Sequence, residues 1–240
     1  MLKQIVSNYD VVNILETKPG LRPEGGSASP MGLIFHILDD KTKKTEVLDI
    51  GFGVGNLGNL IKSDPTTSHW EVDGIDGWDV NCGNQELFNK KLYRNIWHGL
   101  AQELPFDTIS SYKIICLLDV IEHLNIETSK WLLRTLLSCL GDGSYLFIST
   151  PLWFYIAPEF QQGDMEEHLI GVPASSIMAL VPKMYAISNA FIGGFVLTKE
   201  SLDYVEFFQP TMDKKFSKER GMKVAKSVGM QCTPNMLYKL

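Results

Sequence analysis

Four acids and two histidines in this chain stand where they could do chemistry: Asp49, Asp76, Asp119, Glu122, His123 and His168. Asp49 lies inside the apolar run Val47-Leu48-Asp49-Ile50 and is followed by Gly51, Gly53 and Gly55. Glycines at that spacing let a backbone turn tightly and approach a ligand without Cβ atoms in the way. A buried charge is costly unless paired. Asp49 is therefore expected to hold turn amides, a cationic ligand group, or both. Gly53-Val54-Gly55-Asn56-Leu57-Gly58 also fits G-x-G-x-x-G, and Asp76 follows about 20 residues on, where a ribose-binding acid belongs. A nucleoside cofactor is indicated. A pyrophosphate over the loop would be repelled by Asp49, whereas a cationic group would be attracted.

These residues need a scaffold that brings them together. Val47–Ile50, Trp70–Asp76, a weak Asn95–His98, Tyr112–Asp119 and Ser144–Pro151 read as strands. Asn56–Lys62 and the amphipathic Thr128–Leu140 read as helices between them, and Met31–Leu38 as a helix before the first strand. Met184–Ile187 and Phe195–Thr198 read as a closing pair. Strands alternating with helices predict an α/β fold with a doubly wound parallel sheet, whose ligands sit beyond the carboxyl ends of the strands. Asp49, Asp76 and Asp119 all fall at or near those ends. The expected organisation is an N-terminal helical extension over 1–45, a cofactor-binding domain over 46–200, and a helical basic tail over 201–240.

Composition sets the outer bounds. The 240 residues are 45% hydrophobic and 21% charged, enough for one core. A net charge of −6 argues against a broad nucleic-acid footprint, and no DNA partner is expected. No apolar run approaches a membrane span, and Met1-Leu2-Lys3-Gln4 does not open a signal peptide. The four cysteines, at 82, 116, 139 and 232, form no C-x-x-C pair. A cytoplasmic protein with reduced thiols is the expectation.

Over residues 44–151 the motifs, in order, resemble those of the class I S-adenosylmethionine-dependent methyltransferases, in their small-molecule and glycan O-methyltransferase-like branch. Asp49-x-Gly51-x-Gly53-x-Gly55 looks like the first motif, and Gly74-Ile75-Asp76 like the acid that binds both ribose hydroxyls. Gly99-Leu100-Ala101-Gln102-Glu103-Leu104-Pro105-Phe106 is similar to G-D-A-x-x-L-P-F, with Leu100 where the family has an acid. Asp119-Val120-Ile121-Glu122-His123-Leu124 resembles D-x-x-E-H-L. The resemblance implies a Rossmann-like sheet of seven mostly parallel strands with an antiparallel last strand. It implies S-adenosylmethionine as cofactor, bound by Asp49, Gly51, Phe52, Gly53, Gly55, Asp76, Gly77, Ala101, Gln102, Leu118 and Asp119.

The same resemblance implies methyl transfer, to a small-molecule, glycan or lipid acceptor and at oxygen. Such transfer needs an in-line acceptor and, for a hydroxyl, removal of its proton. His123 and His168 are the candidates for that proton. Asp119, Glu122, His123 and His168 together also resemble the metal site of small-RNA 2′-O-methyltransferases, so a metal-dependent RNA 2′-O-methyltransferase is one alternative. A non-catalytic S-adenosylmethionine-binding module is another. The aromatic segment Trp153–Phe160 reads as a lid or as packing. The Lys214–Lys226 stretch reads as a solvated helix face or as a contact to a phosphorylated or membrane-surface acceptor.

Overall fold

Ile114-Ile115-Cys116-Leu117-Leu118 is buried at every position, as a central strand of a sheet covered on both faces must be. In the computed structural model, which describes residues 1–15, 28–154, 164–188 and 192–211, this run is β6 of a nine-stranded sheet. The others are β1 (Lys3–Ser7), β2 (Asp10–Val11), β3 (Glu46–Ile50), β4 (Glu71–Asp76), β5 (Asn95–His98), β7 (Tyr145–Pro151), β8 (Met184–Ser188) and β9 (Ile192–Leu197). Their order is β2-β1-β5-β4-β3-β6-β7-β9-β8. From β5 to β7 every neighbouring pair is parallel, and β9 runs antiparallel to both β7 and β8. The chain winds outward from β3 in one direction and from β6 in the other. The crevice between the carboxyl ends of β3 and β6 is therefore the switch point where ligands bind.

The sheet has nine strands rather than the expected seven, because the N-terminal segment is not simply helical. Ile5 and Val6 are buried in β1, which pairs antiparallel with the edge of β5. Asn8 and Tyr9 both take positive φ, 48° and 69°, and close a two-residue hairpin onto β2. Two short helices follow within the same region, α1 (Ala28–Met31) and α2 (Ile34–Ile37). Tyr9 is tied to Glu71 on β4, which anchors the hairpin to the sheet.

Helices α3 (Asn56–Ser63), α4 (Asp79–Cys82), α5 (Gln85–Asn89), α6 (Ile126–Cys139) and α7 (Ala174–Met178) complete the fold. Helix α6 is capped by Asn125, whose side chain accepts from the Thr128 N–H at 2.8 Å. It buries Leu132, Leu133, Leu136 and Leu137 against the sheet, each worth about 1.5–3 kcal/mol. A second core cluster, with Leu57 and Ile61 of α3 and Trp70, packs on the other face of the sheet, against the alternate residues Val47, Val72, Cys116 and Phe147. A 3₁₀ helix, Lys199–Phe207, packs on α6 through buried Val205. Residues 212–240, with the basic stretch, lie outside the described residues, as do 155–163 of the aromatic segment. Trp153 and Phe154, which begin that segment, are core residues. No described helix is long and apolar enough to cross a membrane.

One acid on the sheet is purely architectural. Asp73, in the middle of β4, is gripped by Arg94 through Nε at 3.0 Å and Nη2 at 2.5 Å, and by the Tyr112 hydroxyl at 2.8 Å. Arg94 also reaches Glu46 at 2.9 Å. A buried carboxylate that serves the fold is thus supplied with a bidentate cation.

Candidate active site

Gly51, Gly53 and Gly55 have φ of 72°, 56° and 84°, the left-handed region that non-glycine residues rarely adopt. Their surroundings differ. A Cβ on Gly51 would meet Val120 Cγ2 at 2.4 Å, and one on Gly55 would meet Leu87 Cδ2 at 2.2 Å. On Gly53 a Cβ would meet nothing within 4 Å. Gly51 and Gly55 are therefore required by packing, whereas Gly53 presents bare backbone to open space, as a surface for a ligand does. Gly55→Ala is expected to cost about 2–4 kcal/mol of stability, from overpacking plus φ strain. Gly53→Ala is expected to cost about 1 kcal/mol and to weaken cofactor binding at least about tenfold. Thermal melts and calorimetric titration of the two variants check this contrast.

Asp76 closes the loop from β4. Its Oδ2 accepts from the Gly53 N–H at 2.8 Å and from Asn81 Nδ2 at 3.2 Å, while Oδ1 accepts from the Trp78 N–H at 2.7 Å. Of the two kinds of partner expected of it, Asp49 bonds no turn amide among the described residues, which leaves the cationic group. Its Oδ2 accepts from the Tyr93 hydroxyl at 2.7 Å, and that oxygen in turn accepts from the Gly58 N–H at 3.3 Å. Tyr93 also packs against Phe52, with ring centroids 5.2 Å apart, and is a site residue that no motif spacing pointed to. Phe52 and Leu118 turn their side chains into the core, leaving only main chain for a ligand.

Burial pushes Asp49 up to about 7 and Asp76 up to about 6. Hydrogen bonds from Tyr93, and from Trp78 and Gly53, pull the other way without cancelling it. Among the described residues neither acid has an ion-pair partner, in contrast to Asp73 with Arg94. These two acids, only 2% and 6% exposed, thus stand in the crevice without a lysine or arginine paired to them among the described residues.

The next part of the rim lies beside Gly77, after β4 and β5. Leu100, 46% exposed, lies beside Gly77, and Ala101 and Gln102 follow in a short 3₁₀ turn. Gln102 is exposed and Ala101 half-buried. Met165 comes to the same place from the far side, with Sδ and Leu100 Cδ2 each 3.0 Å from where a Gly77 Cβ would be. Apolar cover thus stands where the motif has an acid.

Beyond β6 the remaining candidates gather. Asp119 takes φ 54° and accepts from Ser149 Oγ at 2.8 Å. Glu122 is buried in the 3₁₀ turn Ile121–His123, not solvated, and accepts from the Thr150 hydroxyl at 3.0 Å. His168 is brought to it by β-like contacts, with the Leu169 and Ile170 N–H groups donating to the Glu122 carbonyl at 2.8 and 3.2 Å. The His123 and His168 rings meet edge to face at 4.7 Å, and His168 is 8% exposed. His123 Nδ1 lies 3.2 Å from the Glu167 carbonyl, which can only accept, so Nε2 keeps its lone pair. Burial pushes His123 down to about 4, so it is neutral near pH 7. Glu122, His123 and His168 each place one ligand atom within 4.8 Å of the others and could hold a metal ion.

A profile for the family described as Methyltransferase domain matches residues 29–178, well over half of the chain. The chain belongs to that family. It is a class I S-adenosylmethionine-dependent methyltransferase, and its cofactor is S-adenosylmethionine. The methyltransferase is similar in fold to an O-methyltransferase family protein from Burkholderia thailandensis, at 8% identity and a TM-score of 0.50, over 70% of this chain and 55% of that one. The N-terminal domain of EvdMO1 with SAH bound aligns at 12% identity and a TM-score of 0.48, over 71% and 80% of the chains. The YcgJ protein from Bacillus subtilis aligns at 20% identity and a TM-score of 0.42. That alignment covers 52% of this chain and 51% of the Bacillus one, about half the length of each. No curated protein matches the chain in sequence.

Proposed function

We propose that this methyltransferase acts on a hydroxyl of a small-molecule or glycan-type acceptor. The observation that carries the reading is the buried imidazole pair, His123 and His168, with rings 4.7 Å apart just beyond β6, His123 being neutral near pH 7. Bound over Gly53 and Asp76, S-adenosylmethionine supplies an electrophilic methyl group on a sulfonium. Asp76 would hold the ribose, the Gly51–Gly55 backbone would let the methionine portion approach β3, and Leu100 and Met165 would cover the base. His168 accepts the acceptor's proton on a ring nitrogen. His123, neutral and fixed by the Glu167 carbonyl, orients His168 and is the weaker proton acceptor of the two. Free thiols at Cys82, Cys116 and Cys139 accord with a cytoplasmic setting.

A second reading rests on Glu122, His123 and His168. One carboxylate and two imidazoles, with Glu166 3.7 Å from His123 Nε2, form a donor set that suits zinc or manganese better than magnesium. There the ion would lower the pKa of a bound hydroxyl, an RNA 2′-hydroxyl among the candidates. Turnover to S-adenosylhomocysteine with a panel of hydroxylated sugars, phenols and short RNAs tests both. The first reading expects activity with a small hydroxylated acceptor that survives exhaustive EDTA. Activity lost on chelation and restored by zinc or manganese would replace it with the second, and turnover only with amines would contradict both.

A further inference from the structure

The segment 164–168 does more than deliver His168. It is pinned downstream by the Leu169 and Ile170 N–H bonds to the Glu122 carbonyl and by the Gly171–Thr211 bridge. Upstream of those pins its tip crosses the rim from β6 toward β5, where Met165 lies against Gly77 and Leu100. Between Met165 and the histidines stands Glu166, three-quarters buried. Its carboxylate is 3.7 Å from His123 Nε2, four residues on from Asp119, and its neighbour Met165 lies against Gly77, next to Asp76. Burial, with the like charges of Asp76 and Asp119, pushes Glu166 up to about 7. Asp76 marks the ribose end of the cofactor and Asp119 its methionine end. The atom of S-adenosylmethionine between ribose and methionine is the sulfur, and it is the one atom whose charge differs between the cofactor and its demethylated product.

Resting on the cofactor reading above, we propose that Glu166 reads the charge on that sulfur. It favours the sulfonium of S-adenosylmethionine over the neutral thioether of S-adenosylhomocysteine, while Met165 covers the adenosine that the two share. Three carboxylates converging on one cleft repel one another, and a cation placed among them is attracted by all three. Once the methyl has left, the sulfur is neutral and that attraction is gone. Glu166 thus biases the site toward taking up cofactor and releasing product, without touching the part of the molecule that the glycine loop recognises.

Calorimetric titration of the full chain with S-adenosylmethionine, S-adenosylhomocysteine and sinefungin, whose amine carries a cation near the sulfur's position, tests this. Glu166→Gln is expected to weaken the two cationic ligands about tenfold and the neutral one less than about twofold, with Glu166→Asp falling between. Met165→Ala is expected to weaken all three equally. Equal changes for cationic and neutral ligands in Glu166→Gln, or no change in either, would overturn the proposal while leaving the cofactor assignment intact. A wild-type protein that binds none of the three would overturn the cofactor assignment and the proposal with it.

Discussion

Asp76→Ala is expected to raise the Kd for S-adenosylmethionine at least about a hundredfold while moving stability by no more than about 2 kcal/mol in either direction. The binding loss follows from geometry. Asp76 accepts from both the Gly53 N–H and the Trp78 N–H, so in the proposed reading it would set the loop against the ribose as well as contact it. The small stability change follows from two effects that oppose each other. Removing the carboxylate leaves the Gly53 and Trp78 N–H groups without their acceptor, at about 1–3 kcal/mol for each that water cannot reach. It also removes a buried acid whose pKa is held up at about 6, a burden of about 3 kcal/mol at neutral pH. A carboxylate kept for the fold behaves differently. Asp73 has Arg94 bonded to both its oxygens, and its loss would leave that guanidinium half-paired in the sheet. Parallel melts and titrations of the Asp76 variant separate the two kinds of acid.

His168→Gln is expected to lower kcat by about 10²–10⁴ while leaving the cofactor Kd within about threefold. Glutamine keeps a polar side chain of similar reach beside His123 but has no basic nitrogen. The ring lies edge to face with His123 at 4.7 Å, and in the proposed reading it serves the acceptor rather than the cofactor, so cofactor binding should not depend on it. His123→Gln is expected to cost less, since burial already keeps that imidazole neutral and its Nδ1 is committed to the Glu167 carbonyl. Single-turnover kinetics with saturating cofactor measure the effect on the chemical step directly. A His168 variant with wild-type kcat would remove the base from the account.

Much of this was legible in the sequence, and for a physical reason. Central strands of a parallel sheet are buried on both faces, so β3, β4, β6 and β7 appear as apolar runs, and any acid within or at the end of one stands out. The glycine loop was legible because positive φ is a backbone requirement written in residue type. The β1–β2 hairpin was not, because its turn is Asn8-Tyr9, without the glycine that marks such turns, and only Ile5 and Val6 carry its burial. Tyr93 was invisible for another reason. Its value lies in a hydroxyl set between Asp49 and Gly58, 44 and 35 residues away, and no local pattern encodes that. His168 could be picked out as a histidine following β7, but its burial against His123 is a tertiary fact. So is the approach of Met165 to Gly77 and of Glu166 to Asp76. There the connecting segment brings together residues about 90 positions apart, and the sequence around them shows only a short acidic stretch.

The central claim is that buried acids without a lysine or arginine partner, Asp49 and Asp76, are kept for a cationic nucleoside cofactor. Both hold their protons more tightly folded than unfolded. The stability they lend the unliganded protein is thus full below about pH 4 and is lost as pH rises through about 6 to 7. Binding of the cofactor has the opposite pH dependence, since it calls for the ionised carboxylates. Calorimetric titration of the wild-type chain with S-adenosylmethionine at pH 5, 6 and 7 tests the claim most directly. The account predicts saturable one-site binding that tightens at least about tenfold from pH 5 to 7, the part due to Asp76 with its pKa near 6, with Asp49 adding to it. Affinity that is flat or weakens over that range, or no binding at any of the three, would contradict it.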